Sequence, residues 1–325
     1  MAVLGAGAWG TVLAALLAEG GAAVTLWARR TEHAERVQAD RENVAYLPGF
    51  PLPGRVRVTA DLDDAIDGVE LAVVAVPSRA VRALVRSLPP VPARALPLVL
   101  AAKGIEAGRF LRLSEVVAEE RPGTPVAVLS GPNLAAEIAA GKPAAATVAS
   151  EDGALAQRVQ ALLGGGPLRV YTSRDVIGVE IAGALKNVIA LAAGMSDGLG
   201  LGDNSKAAII TRGLAEIVRL GTRLGGDPLT FYGLAGVGDL VATCTSDQSR
   251  NHLAGVRFAR GVPLAAIEAS SLTAEGIPTV LAVHREQLTL GVDLPIAGEV
   301  YRVVYEGRRV DEALRALMER AVGAE

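Results

Sequence analysis

Along the first half of the chain, short apolar runs alternate with stretches whose apolar positions recur every three or four residues. Runs rich in Val, Leu and Ala predict strands over 2–5, 22–27, 55–59, 71–76, 98–101, 126–129, 145–148 and 168–171. Most are bounded by Gly, Pro or charged residues, and their uninterrupted apolar character is that of strands buried on both faces. Helical spacing predicts helices over 11–19, 79–87 and 134–140, the last closed by Gly141. Strands alternating with helices imply parallel βαβ units in a doubly wound sheet.

After about residue 174 the pattern changes. No strand pattern follows, and helical stretches cover 176–193, 205–224, a segment around 251–260, 279–288 and 310–322. Pro228, Pro263, Pro278 and Pro295 punctuate them. The chain therefore reads as α/β: a doubly wound, mainly parallel domain over 1–174, then an all-α domain over 175–325.

Composition narrows the class of partner. The 325 residues carry a net charge of −3, whereas a polyanion-binding protein normally carries a basic excess, so nucleic acid is not expected. A single cysteine, Cys244, excludes an intramolecular disulfide and a thiolate zinc cluster. The three histidines, His33, His252 and His284, are scattered and read as surface or packing residues, so no metal is expected. The longest apolar runs, such as 181–195, fall short of the roughly 18 to 20 residues of a membrane span. No signal peptide precedes Val3, and the expected setting is cytoplasmic. Of 32 basic residues only Lys103, Lys142, Lys186 and Lys206 are lysines. Where arginine carries surface charge, a lysine marks a place where a compact ammonium able to lose its proton is needed.

Gly5-Ala6-Gly7-Ala8-Trp9-Gly10 is a GxGxxG run between a strand and a helix. Gly5 permits the tight turn, Gly7 a close backbone approach to a pyrophosphate, and Gly10 close helix packing, as in a Rossmann-like dinucleotide site. The next strand ends in Ala28-Arg29-Arg30, where an NAD-specific site usually places Asp or Glu. Two guanidinium groups there suit a 2′-phosphate, so NADPH is the expected cofactor, with NADH an alternative.

Other segments combine polar residues with glycine. Lys103 ends a strand and faces the crevice of such a sheet. Ser130-Gly131-Pro132-Asn133 lies between a strand and a helix, where it either binds an anion or simply caps. Lys186 sits in an apolar helix between Glu180 and Asn187, partly desolvated and ready for proton transfer, unless it snorkels to the helix edge. Asp239, in a glycine-rich loop, is placed to pair with it, and Ser249-Arg250-Asn251 before a helix forms a phosphate clamp.

With those residues in view, the chain resembles the bacterial-type NAD(P)-dependent sn-glycerol-3-phosphate dehydrogenase family. The resemblance rests on GAGAWGT, NVAYLPG, VPSRAVR, KGIE, SGPN, the long stretch EIAGALKNVIALAAGMSDGLGLGDNSKAAIITRGLAEI, GLAGVGDLVATC and SRNH. It implies an enzyme that interconverts dihydroxyacetone phosphate and glycerol 3-phosphate for phospholipid synthesis, so the partner is a small phosphorylated three-carbon substrate. It implies Lys186 as catalytic proton donor and acceptor, with Lys103, Gly131, Asn133, Asp239, Ser249, Arg250 and Asn251 around the substrate. Ala8, Trp9, Arg29, Arg30, Lys103, Ala135, Arg250, Thr273 and Glu275 would contact the dinucleotide. The family often has Ser where this chain has Ala8, and residues 272–276 match it loosely. Reduction of another small keto acid, such as a ketopantoate-like substrate, and non-catalytic dinucleotide sensing are the alternatives. An apolar helical second domain could form a homodimer interface.

Overall fold

The computed structural model describes residues 1–89, 95–270 and 272–320. In chain order its strands are β1 (Ala2–Leu4), β2 (Val24–Trp27), β3 (Val56–Thr59), β4 (Ala72–Val74), β5 (Leu98–Leu100), β6 (Ile105–Glu106), β7 (Leu111–Arg112), β8 (Val126–Ser130), β9 (Ala144–Ala149) and β10 (Leu168–Ser173). The helices of the first half are α1 (Ala8–Glu19), α2 (Thr31–Asp40), α3 (Leu62–Ile66), α4 (Ser78–Ser87), α5 (Leu113–Glu120), α6 (Ala135–Ala139) and α7 (Gly153–Leu163). There follow α8 (Val176–Gly198), α9 (Gly202–Arg223), α10 (Asp239–Thr245), α11 (Arg250–Ala259), α12 (Leu264–Glu268), α13 (Gly276–Leu290), α14 (Pro295–Glu306) and α15 (Val310–Met318). The last two residues of the helix expected over 310–322 lie outside the described residues.

Two compact units emerge. The first comprises Met1–Lys103 and Arg112–Val179, the second Gly104–Leu111 and Glu180–Glu325. A single cut at 174/175 therefore misses the short excursion over 104–111, whose β6 pairs with β7 and packs against α13.

In the first unit, eight strands form one sheet in the order β10-β9-β8-β5-β4-β1-β2-β3. Its pairings are parallel except that of β8 with β9, so the expected mainly parallel, doubly wound sheet is present. The chain runs outward from β1 through β2 and β3, then returns and runs the other way through β4, β5 and β8. That reversal opens a crevice at the carboxyl ends of β1 and β4. The strands are short Val, Leu and Ala runs, and β1, β4 and β5 are buried throughout. Val12, Leu13, Leu16 and Leu17 of α1 join Val3, Leu26, Val73, Val99, Leu129 and Leu168 in one core cluster. This core fixes where β1 ends and α1 starts.

Among its described residues the second unit has no strand apart from β6 and the first residue of β7. α8, which belongs to it from Glu180 on, has 23 residues, long and apolar enough by length and composition to cross a membrane, which corrects the expectation that no apolar stretch reaches that length. That stretch is 89% buried within the chain, and it carries Glu180 and Lys186, so the apolar run is accounted for by a core helix.

Candidate active site

The first unit builds a dinucleotide cradle from its sheet. β1 gives way to a turn with Gly5 at φ +125°, where a Cβ would lie 2.7 Å from the Ala75 carbonyl oxygen beyond β4. A Cβ at Gly10 would overlap the carbonyl of Gly5 itself, so neither position takes a side chain. At Gly7, by contrast, a Cβ would meet nothing within 4 Å, which leaves that backbone open to a ligand. α1 begins there without a side-chain cap, so its leading N–H groups can turn to an anion.

Asn43, fully buried, braces the turn from beneath. Its Nδ2 donates to the Ala6 carbonyl at 3.1 Å and to Thr11 Oγ1 at 2.8 Å, and the Thr11 hydroxyl donates to the Gly7 carbonyl at 2.8 Å. Nearby in sequence, the buried Trp9 Nε1 has no hydrogen-bond partner. Ala28 is buried at the end of β2, and Arg29 and Arg30 beside it are exposed, with Arg30 at the start of α2.

A second polar corner of this unit lies where β8 ends. Lys103 Nζ donates to the Gly131 carbonyl at 2.7 Å. Asn133 buries both amide atoms without a partner, so it is not the cap of α6, and the Ser130 hydroxyl is likewise unpartnered. Buried polar atoms are nearly always satisfied, so these orphans mark places a ligand would complete. Ala135 opens α6, half-buried. An uncapped α1, an open Gly7 and the unpaired Trp9 Nε1 together fit a bound dinucleotide.

In the second unit, Lys186 is 6% exposed in the middle of α8 and does not snorkel. Its Nζ donates to Asp239 Oδ1 at 2.5 Å and to Thr243 Oγ1 at 2.7 Å. Asp239 is buried too, and the Thr243 hydroxyl donates in turn to the Asp239 backbone carbonyl at 2.6 Å. Asp239 and Thr243 are one turn apart on α10, so a single short helix presents both to the ammonium. This corrects the expectation that Asp239 lies in a loop: residues Leu234–Gly238 coil as a π-turn that runs straight into α10.

Next along α8, Asn187 Oδ1 accepts from Asn251 Nδ2 at 2.8 Å, and Asn251 Oδ1 accepts from the Gly276 N–H at 2.8 Å. Ser249 caps α11 through the His252 N–H at 3.2 Å. Asn251 is thus a tether between helices, and Arg250, beside it, is exposed on the first turn of α11. Cys244 follows Thr243 on α10, and burial pushes its thiol up to about 12, which leaves it a protonated packing residue.

Comparison with known proteins decides the family. Models of the N-terminus and C-terminus of NAD-dependent glycerol-3-phosphate dehydrogenase match residues 1–156 and 175–315. A glycerol-3-phosphate dehydrogenase [NAD(P)+] from Thermus thermophilus is 52% identical over 98% of this chain and 98% of its own. One from Moorella thermoacetica is 49% identical over 98% of this chain and 96% of its own. The crystal structure of glycerol-3-phosphate dehydrogenase from Coxiella burnetii superposes with a TM-score of 0.92 at 39% identity, covering 98% of each chain. The chain belongs to the NAD-dependent glycerol-3-phosphate dehydrogenase family.

In this family member the expected pairing of Asp239 with Lys186 is present, whereas sequence reasoning gave no role to Thr243, one turn beyond Asp239. It also gave no role to Asn43, although NVAYLPG was among the stretches carrying the resemblance. Thr273 is half-buried in the segment before α13, and Glu275 occupies the α13 N-cap position, its backbone carbonyl accepting from the Thr279 hydroxyl at 2.7 Å. Among the described residues no cluster of His, Cys, Asp and Glu could hold a metal ion.

Proposed function

We propose that this chain interconverts dihydroxyacetone phosphate and sn-glycerol 3-phosphate, with NADPH preferred and NADH accepted, and that Lys186 moves the proton. The observation that carries the reading is a buried lysine held by Asp239 and Thr243 in a chain of this family. The dinucleotide supplies or removes a hydride at C2 of the substrate when bound. Lys186 Nζ gives its proton to the ketone oxygen in reduction and takes one from the C2 hydroxyl in oxidation. Asp239 and Thr243 fix the direction in which Nζ points, so little reorganisation is needed as charge develops on oxygen.

Arg250 and Asn251, at the start of α11, hold the phosphate; binding energy from that remote group orients the ketone. Lys103, Gly131 and Asn133 are further substrate-binding residues, and Ser249 fixes the clamp turn. Gly5, Gly7, Ala8, Trp9, Gly10, Arg29, Arg30, Ala135, Thr273 and Glu275 serve the dinucleotide, together with Lys103 and Arg250. The reading carries with it a cytoplasmic setting, supply of the glycerophospholipid backbone, and a homodimer.

The test is an absorbance assay of NADPH oxidation with dihydroxyacetone phosphate, with NADH and with a phosphate-free keto acid as controls. Turnover of the phosphorylated ketone alone supports the reading, and Arg250→Ala should raise its KM. Faster turnover of the phosphate-free acid would overturn it.

A further inference from the structure

One cluster in the second unit lies outside the machinery described above. His252 follows Asn251 on the first turn of α11, is 5% exposed, and has its ring Nε2 2.7 Å from Asp197 Oδ2 near the end of α8. A carboxylate accepts, so Nε2 is the donor. The same oxygen receives Lys206 Nζ of α9 at 2.9 Å, so one carboxylate joins three helices. Hydrogen bonds from Lys206 and His252 hold the Asp197 carboxyl below its usual value, although burial acts against its charge.

The other ring nitrogen, Nδ1, is buried without a partner. That is a cost an apolar side chain of similar size would avoid. The backbone of His252 is also tightly seated, because a Cβ at Gly194 of α8 would overlap the His252 carbonyl oxygen. Together with the Asn187–Asn251 bond, these contacts pin the first turn of α11 to α8 at Asn251 and His252, directly after Arg250.

We infer that His252 is a positioning residue: bonded to Asp197, it sets the rotation of the first turn of α11 and so aims Arg250 and Asn251 at the substrate phosphate. The inference rests on the clamp reading given under the proposed function. Asn251 is already tethered by Asn187 and Gly276, whereas Arg250 is exposed on the same turn, so the His252–Asp197 bond bears chiefly on Arg250.

Steady-state kinetics on three variants of the full chain test it. His252→Leu, which fills the space without the donor, should raise KM for dihydroxyacetone phosphate about tenfold, the scale of one charge-assisted hydrogen bond. Its kcat should stay within about twofold of the parent. His252→Gln, which restores an N–H donor, should recover most of the KM. If His252→Leu leaves KM unchanged, or if His252→Gln is impaired as much as His252→Leu, the inference falls. Arg250→Ala separates this from the parent reading: a raised KM there with an unchanged KM in His252→Leu sinks the positioning role alone. An unchanged KM in Arg250→Ala sinks the clamp, and with it the positioning role.

Discussion

The four lysines find unlike surroundings. Lys142 is mostly exposed in a 3.3 Å pair with Glu137, an ordinary surface contact worth little. Lys206 and Lys103 are each committed to an oxygen acceptor, Asp197 and the Gly131 carbonyl. Lys186 is buried between Asp239 and Thr243. Scarcity of lysine therefore marks four unlike positions, and only the partners distinguish a surface pair from a buried, doubly bonded ammonium. The exposed Arg29 and Arg30 belong to this scale too. Replacing both with alanine should lower the ratio of kcat/KM for NADPH over NADH by roughly tenfold or more, because each guanidinium can make charge-assisted bonds to a 2′-phosphate. An unchanged ratio would mean that cofactor choice is made elsewhere.

At the scale of elements, burial decided what could be read. The cores of the eight sheet strands were legible because each is an apolar run between breakers, while β6 and β7, two residues each, are too short to show a period. α2 escaped notice because TEHAERVQAD buries only Ala34 and Val37. α10 was hidden by the glycines of Leu234–Gly238, which read as a loop, and with it went the helical spacing that pairs Asp239 with Thr243. α14 was missed along with its N-terminal anchor, Glu216 of α9. The Glu216 carboxylate accepts from the Ile296 N–H at 2.6 Å and the Ala297 N–H at 3.1 Å. Burial nevertheless outweighs those bonds and pushes its pKa up to about 7. The folded state therefore holds this proton more tightly than the unfolded chain, where a glutamate titrates near about 4.3. The resulting stability is fully present below the unfolded value and is lost as pH rises through about 7. Urea denaturation from pH 5 to 8 should show the parent losing more stability than Glu216→Gln over that range. Equal pH slopes in the two would contradict the assignment.

For the molecule as a whole, the sequence disclosed a doubly wound sheet followed by helices, because those two patterns differ in period. It did not disclose that residues 104–111 leave the first unit, since eight residues between Lys103 and Arg112 carry no compositional boundary. The first unit holds an uncapped α1 and an open glycine, and the second holds a buried ammonium. The central claim is that this ammonium is the proton carrier. The most direct measurement compares turnover and NADPH affinity in Lys186→Ala, with circular dichroism to confirm the fold. The account predicts kcat for dihydroxyacetone phosphate reduction lower by roughly 10²- to 10⁴-fold, with NADPH affinity unchanged. A variant that turns over within a few fold of the parent would contradict it.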